Sequence, residues 1–406
     1  MTRGTDITRF RRSYSERNEG DFPETITLTL KKESDKKYGE NPNQHCATYT
    51  AELINSMNVS IIARLTSLKS VRTDEQGKGG LSATNEMDIT KAMKVLSYFE
   101  EPAVSIMKHV IVSGFARQVH GSQTQADLFR LARDTDIKSN FGGSVVFNRP
   151  LSRETAEALY ELKGKNPFFV DVLAAPDYDT GVLDYIQKES KNIRIAKFSN
   201  LKILPRFKGD NTHGLMSFKE MDTGRVAVQD LYLTSIRNPG DLILDPMVID
   251  TSGSRHMVKK DPSPKEIDDL LASWWINLAG VRSNGIVFFK NGATVAVGAG
   301  QKERIGAIEQ AIIKSYQTAM DREGIKYDPI DGAAQRRLLS KNPLEGAVMS
   351  SDAFFPFRDS IDTIAGHGVT AIIQPGGSAK DYEVIDAVNE HKMAMAYTLE
   401  RCFGHF

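Results

Sequence analysis

The chain has 406 residues, with 52 Lys or Arg against 52 Asp or Glu, so its formal charge at neutral pH is zero. That balance argues against a dedicated nucleic-acid binder, whose footprint is a strongly basic domain, and 40% hydrophobic residues argue against global disorder. No apolar run approaches the ~18 residues of a membrane span, no secretory signal is visible, and two distant cysteines, Cys46 and Cys402, cannot build a disulfide framework.

Such a chain reads as a cytoplasmic α/β protein of about two or three domains. Residues 1–24 read as a polar, frayed tail, locally basic through Arg3, Arg9, Arg11, Arg12 and Arg17, with a nucleic-acid arm as the rarer alternative. Asn85 can cap a helix reaching Phe99, with Ile89, Met93 and Leu96 on one face. Ala103–Met107 reads as a strand that ends in Lys108-His109. Arg153–Lys163 and Asp179–Lys191 read as helices, and Phe168–Ala175 and Ile193–Phe198 as extended. In the second half Lys265–Val281 carries an apolar face in which Trp274 and Trp275 are packing residues. Two β-like runs follow, Gly285–Lys290 and Ala293–Val297, and then a long helix from Gln301 to Met320.

The pattern repeats. From Val170 and again from Val369 the chain reads strand, proline (Pro176, Pro375), polar turn, helix, strand. Lys108 and Lys290 each end an apolar strand that follows a helix. These features divide the chain into halves at 25–215 and 216–406.

Chemistry is sparser. HExxH, paired CxxC, GxSxG and the GxxxxGK[ST] phosphate loop are all missing, which disfavours a zinc site or a nucleophile elbow. Gly298-Ala-Gly300 and Gly376-Gly377-Ser378 each precede a helix whose free N–H groups can hold an anion, the first with Arg304 one turn inside. In Lys108-His109, a histidine that moves protons near neutrality stands beside a cation suited to developing negative charge.

Longer motifs carry a resemblance: KKYGENPNQ around Lys37, KH at 108–109, SNFGG at 139–143, RSNGIVFFKNG at 282–292, VGAGQKERI at 297–305, SSDAFFPFRDS at 350–360, IIQPGGSAKD at 372–381 and the terminal TLERCFGHF. In this order they resemble the transformylase part of the AICAR formyltransferase/IMP cyclohydrolase family. The resemblance implies two related cytidine-deaminase-like α/β domains in tandem, without zinc, in a homodimer whose active sites lie across the subunit interface. It implies formyl transfer from 10-formyltetrahydrofolate to the 5-amino group of AICAR in purine biosynthesis. It also leaves room for a structural monovalent cation, but for no metal in the chemistry.

Carried onto this chain, the resemblance makes His109 the proton shuttle, Lys108 the oxyanion stabiliser and Asn284 a hydrogen-bonding group at the reacting centre. Lys37, Tyr38, Gly142, Asp171, Asn284, Arg304 and Arg401 fall where the family binds AICAR. Ile305, Phe354, Asp359, Ser378 and Ala379 fall where it binds folate. Without the family, Ile305, Phe354 and Phe355 would be read as core and Asp359 as a helix cap.

The chain also departs from the family. Only a short segment precedes the KYGENP motif, so the expectation is a monofunctional enzyme, with IMP cyclohydrolase supplied by another protein. Lys37 replaces an arginine fork with a point charge. Val112 replaces the usual proline after KH, which predicts a different course for that loop, and Arg282 stands where Lys or Gln is commoner. Two rival readings stay open: another one-carbon donor for the same acceptor, or an idle nucleotide-binding homologue. Joint retention of Lys108, His109 and Asn284 argues against the second.

Overall fold

A computed structural model describes residues 4–10, 22, 24–36, 44–53, 59–60, 69–70, 80–162, 168–190, 192–199, 201–212, 215–328 and 336–405. The first half contributes strands β1 (Ala103–Lys108), β2 (Ile111–Arg117), β3 (Gly143–Phe147), β4 (Val170–Ala175) and β5 (Arg194–Lys197). The second contributes β6 (Ile286–Lys290), β7 (Ala293–Gly298), β8 (Val348–Ser351), β9 (Ala371–Gln374) and β10 (Ala394–Tyr397). With Lys69–Ser70 along the edge of β5, they form one mixed sheet in the order β10-β9-β8-β6-β7-β2-β1-β3-β4-β5.

Each half has the same wiring. A hairpin (β1·β2, β6·β7) meets an antiparallel third strand (β3, β8), and two parallel strands follow. Even the irregularities correspond: the hairpin register shifts between Ile106 and Met107 in one half and between Phe288 and Phe289 in the other. The halves meet where Ala293 of β7 pairs with Ala116 of β2. The fold class is thus α/β, as the alternation of runs predicts.

The helices are α1 (Ala83–Leu96), α2 (Gln125–Arg133), α3 (Ile137–Asn140), α4 (Arg153–Ala158), α5 (Val182–Glu189), α6 (Pro264–Gly280), α7 (Arg304–Arg322), α8 (Asp359–Ala365) and α9 (Asp381–Glu390). Strand residues alternate faces. Met107, Val146 and Val172 join Val287, Phe289 and Ile373 under α1 and α6 in one shared core, with Trp274 wholly buried at its centre. On the opposite face the core is split. Ile106, Val145 and Leu173 pack on α2, α4 and α5, whereas Phe288, Met349 and Ile372 pack on α7, α8 and α9. Gly280 permits the α1–α6 approach, since a Cβ there would lie 2.4 Å from Val112 Cγ2 and 2.7 Å from Val95 Cγ2. Val112, where a proline is expected, is buried in β2 opposite Met107.

Several boundaries differ from the sequence reading. Ser82, not Asn85, caps α1. Asn85 stands at the third helical position and returns a hydrogen bond to the Ser82 N–H, a capping box. Three helices are shorter or displaced at their ends: α4 stops at Ala158, α5 covers Val182–Glu189, and α7 starts at Arg304. The start of the chain is not frayed throughout. Thr5–Asp6 pairs with Pro246–Met247, and Ile7, apolar in a polar stretch, is buried in the core beside α9; residues 11–21 lie outside the described set. Both cysteines are free, Cys402 being buried. No helix among the described residues is long and apolar enough to cross a membrane.

Candidate functional site

Lys108 is the last residue of β1, and the hairpin turns through His109 and Val110 at φ 53° and 66°. Two left-handed residues in a two-residue loop define a type I′ turn, normally filled by Asn, Asp or Gly. A β-branched valine there is strained. The turn is held from below: Asp88 of α1 accepts from the Val110 N–H (2.7 Å) and from the Ser144 hydroxyl (2.9 Å). Burial pushes the Asp88 carboxyl above its usual range, while those bonds and the nearby His109 and Lys108 oppose the rise. The result is an exposed imidazole on a braced turn.

The Lys108 ammonium donates to the carbonyls of Phe141 and Gly142, both at 3.0 Å, which leaves a third N–H for a ligand. Gly142 has φ 69°, and a Cβ there would stand 3.3 Å from Lys108 Nζ, so the left-handed loop fits the lysine closely. Gly142 N–H in turn donates to Phe169 O (2.7 Å), at the entry to β4. Asp171, two residues on, accepts from Arg194 at both oxygens (2.8 Å each) and from Asn85 Nδ2 (3.3 Å). These residues form one constellation at a single end of the first half-sheet.

A second constellation lies in the other half. Asn284, Arg304, Ile305, Phe354, Asp359 and Arg401 line one cavity of about 540 Å³. Arg304 is the first residue of α7, not one turn inside it, and its guanidinium turns inward rather than toward an anion. It donates to Asp352 Oδ1 (2.5 Å), Ser351 Oγ (2.9 Å) and Asn284 Oδ1 (2.8 Å). Asp352 is almost wholly buried and also accepts from the Ser283 hydroxyl (2.5 Å), so a buried charge finds its counter-charge. The Asn284 amide is fixed at both ends, its Nδ2 donating to Gln301 O (2.8 Å). Arg401 stacks on Phe403, 4.4 Å from the ring centroid, in a C-terminal segment tied down by Cys402 N–H to Asp352 O (3.0 Å) and Ser283 N–H to Gly404 O (2.9 Å). The pair Phe354-Phe355 divides its work: Phe355 is fully buried, while Phe354 faces the cavity.

Ser378 and Ala379 line a different cavity, of about 230 Å³, together with Asp381. Asp381 takes the Gly377 N–H (2.7 Å), and burial lifts its carboxyl to about 7. The structure therefore gathers the expected residues into three places. His109 and Lys108 lie with Gly142 and Asp171, six residues share the large cavity, and Ser378 and Ala379 stand apart. Lys37 and Tyr38 lie outside the described residues. The bracing residues Asp88, Ser144, Asp352 and Ser283 escaped the sequence reading. One signal was available, since Asp88 and Asp269 are each the sixth residue of their helices.

The profile of the AICARFT/IMPCHase bienzyme family matches residues 6–314. The bifunctional purine biosynthesis protein PurH of Persephonella marina is 33% identical over 384 residues, covering 95% of this chain and 62% of the relative. PurH of Magnetococcus marinus is 36% identical over 387 residues, again 95% and 62%. PurH of Xanthomonas campestris pv. campestris is 35% identical over 384 residues, 95% and 60%. The chain spans about 60% of the length of these curated relatives. The profile covers most of the motif-bearing chain and the relatives match nearly all of it, so the chain belongs to the AICARFT/IMPCHase bienzyme family.

Proposed function

We propose that the chain transfers the formyl group of 10-formyltetrahydrofolate to the 5-amino group of AICAR, giving FAICAR and tetrahydrofolate in purine biosynthesis in the cytoplasm. The observation that carries the reading is the strained, carboxylate-braced turn that presents His109 beside Lys108. Residues forced into left-handed conformations cluster where function requires them. The amino nitrogen attacks the formyl carbon, and its own proton must leave. His109 takes that proton and returns it to the departing folate nitrogen. Lys108 stabilises the oxyanion of the tetrahedral intermediate through its third N–H.

Asn284, rigid between Arg304 and Gln301, hydrogen-bonds at the reacting centre, and Arg304 orients the carboxamide region. Lys37, Tyr38 and Arg401 hold the nucleotide, the cations serving its phosphate, while Gly142 and Asp171 serve the ribose side. Ile305, Phe354 and Asp359 suit a flat pterin that donates hydrogen bonds, with Ser378 and Ala379 toward the rest of the folate. His109 does not line the 540 Å³ cavity. On the pattern of the family the two constellations act together across a homodimer, the turn of one protomer completing the cavity of its partner. The matching order of the half-sheets supports two cytidine-deaminase-like domains, at about residues 25–215 and 216–406.

Purified protein incubated with AICAR and 10-formyltetrahydrofolate should release tetrahydrofolate, and His109→Ala should abolish that release with folding intact. Product analysis distinguishes FAICAR from IMP and so reads ring closure in the same tube. Absence of turnover by wild-type protein that binds AICAR overturns the proposal.

A further inference from the structure

A third cavity, of about 420 Å³, lies between α1, the hairpin of Met216–Met221 and Arg225–Asp230, and the C-terminal segment. Its volume falls in the ordinary range of small-molecule pockets. Lys91, Lys94 and Lys219 line it, and no carboxylate among the described residues does. In a chain with zero net charge, such one-sidedness is a property of the place rather than of the composition.

Lys91 and Lys94 stand three apart on one helix and share a face. Lys219 enters from the opposite wall. Lys94 and Lys219 donate to backbone carbonyls, of Pro205 and His405 respectively, which fixes the ammonium groups without cancelling their charge. Burial, then the charges of Lys219 and Lys94, pushes the Lys91 amine down to about 7, and burial with the charge of Arg206, opposed by Asp210 beyond the cavity wall, pushes Lys94 to about 8. Lys94 and Lys219 thus lie close enough to Lys91 to oppose its protonation. An anion among them would relieve that repulsion. Tyr232, Phe403 and Val110 supply apolar and aromatic wall around the charges.

We propose that this cavity binds a small phosphate monoester carrying an aromatic or apolar body, its phosphate held by Lys94 and Lys219 and its body beside Lys91. Lysines bind phosphate as point charges, and two of them match the near-double negative charge of a phosphate monoester better than the single charge of a carboxylate. The site is distinct from the residues proposed above for the nucleotide and does not depend on that reading. Val110 ties it to the His109 turn, and Phe403 also lines the 540 Å³ cavity.

Pyridoxal 5′-phosphate is a probe of this class that also records where it sits. A neutral lysine amine attacks its aldehyde carbon, water leaves, and added borohydride reduces the imine to a stable secondary amine. Peptide mapping after reduction should find the label concentrated on Lys91. Near pH 7 an amine with a pKa of about 7 is about 100-fold or more richer in the neutral form than an ordinary lysine. Pyridoxal, which lacks the phosphate, should label Lys91 about tenfold less, and inorganic phosphate should protect it. Lys94→Met with Lys219→Met, which keeps the apolar stems, should lower labelling at least as far. The wild-type arms stand if that variant fails to fold. Label spread over exposed lysines, label confined to Lys108, or equal labelling of Lys91 by pyridoxal and its phosphate overturns the proposal.

Discussion

Asp88 and Asp269 do the same work in the two halves of the sheet. Asp88 accepts from the Val110 N–H at 2.7 Å; Asp269 accepts from Asn291 N–H at 2.9 Å and Gly292 N–H at 3.0 Å. Each carboxylate rises from the helix under the sheet and closes a two-residue hairpin turn, and each turn follows a lysine that reaches a carbonyl before β3 or β8. The turn residues differ, His109-Val110 in one half and Asn291-Gly292 in the other, and Asp88 accepts from the Ser144 hydroxyl with its second oxygen where Asp269 takes a second turn N–H. Removing either carboxylate strands buried N–H groups, at a cost of about 1–3 kcal/mol. Asp88→Ala and Asp269→Ala should therefore lower unfolding free energy by similar amounts in urea. Only Asp88→Ala should also lower kcat for formyl transfer, because only its turn carries His109, the proposed proton shuttle. Equal loss of kcat in both variants would detach Asp88 from the chemistry.

The second half also supplies a relaxed version of the strained turn. Asn-Gly adopts both left-handed conformations with little penalty, whereas a left-handed β-branched residue costs about 1–3 kcal/mol. Exchanging His109-Val110 for Asn-Gly should raise the urea midpoint, reflecting a gain of about 1 kcal/mol in unfolding free energy after the extra freedom of glycine in the unfolded chain is deducted. Transfer should vanish with the imidazole. A midpoint that falls instead would mean that the native turn is not strained in solution.

Much of the scaffold was legible because its signals are local. The apolar spacing of Lys265–Val281 gives α6 within one residue at each end, and the twin strand–helix–strand runs from Val170 and Val369 correspond to β4–α5–β5 and β9–α9–β10. Helix starts were harder, because Ser82 and Asn85 are both good caps and only the reciprocal bonds decide between them. At the site, adjacency exposed Lys108-His109, but Asp88 looks like any polar residue on an amphipathic helix until the turn above it is known. Asp352 was hidden for a related reason: in the motif SSDAFFPFRDS it reads as one of two acids, and its burial against Arg304 is a three-dimensional fact. The separation of Ser378 and Ala379 from the larger cavity is likewise a matter of distance in space, to which motif order is blind.

Arg304 couples the core to the cavity. Its guanidinium joins buried Asp352 to Asn284, so the ion pair sets the orientation of the amide that lines the cavity. Breaking a buried pair from one side typically costs about 3–5 kcal/mol. Asp352→Asn keeps the shape and loses the charge, and should destabilise the protein by about that amount while raising KM for AICAR. Arg304→Lys retains the charge but cannot reach Asp352, Ser351 and Asn284 together. It should weaken AICAR binding with a smaller loss of stability. Unchanged KM in both variants would leave the pair purely structural.

Asp381 and His256 each make stability fall as pH rises through the neutral range. Burial lifts Asp381 from the usual 3.8 to about 7, so the native state holds that proton more firmly than the unfolded chain. Its contribution is full below pH 3.8 and is lost as pH climbs through about 7. His256 is raised above 6.5, first by its hydrogen bond to Asp386 and also by Asp250. Its contribution is full below 6.5 and disappears as pH rises through the elevated folded value. Thermal midpoints should therefore decline across mildly acidic buffer up to about pH 7, above which Lys91 and Lys94, with amines lowered from 10.5 to about 7 and about 8, add stability as pH rises. Asp381→Asn can still accept the Gly377 N–H but cannot ionise, and should flatten the part of the decline that lies below about pH 7. His256→Gln should remove the part above pH 6.5 and leave the lower part in place. If Asp381→Asn parallels wild type across the whole range, the carboxyl is not buried as described, and the small cavity beside Ser378 is open to water.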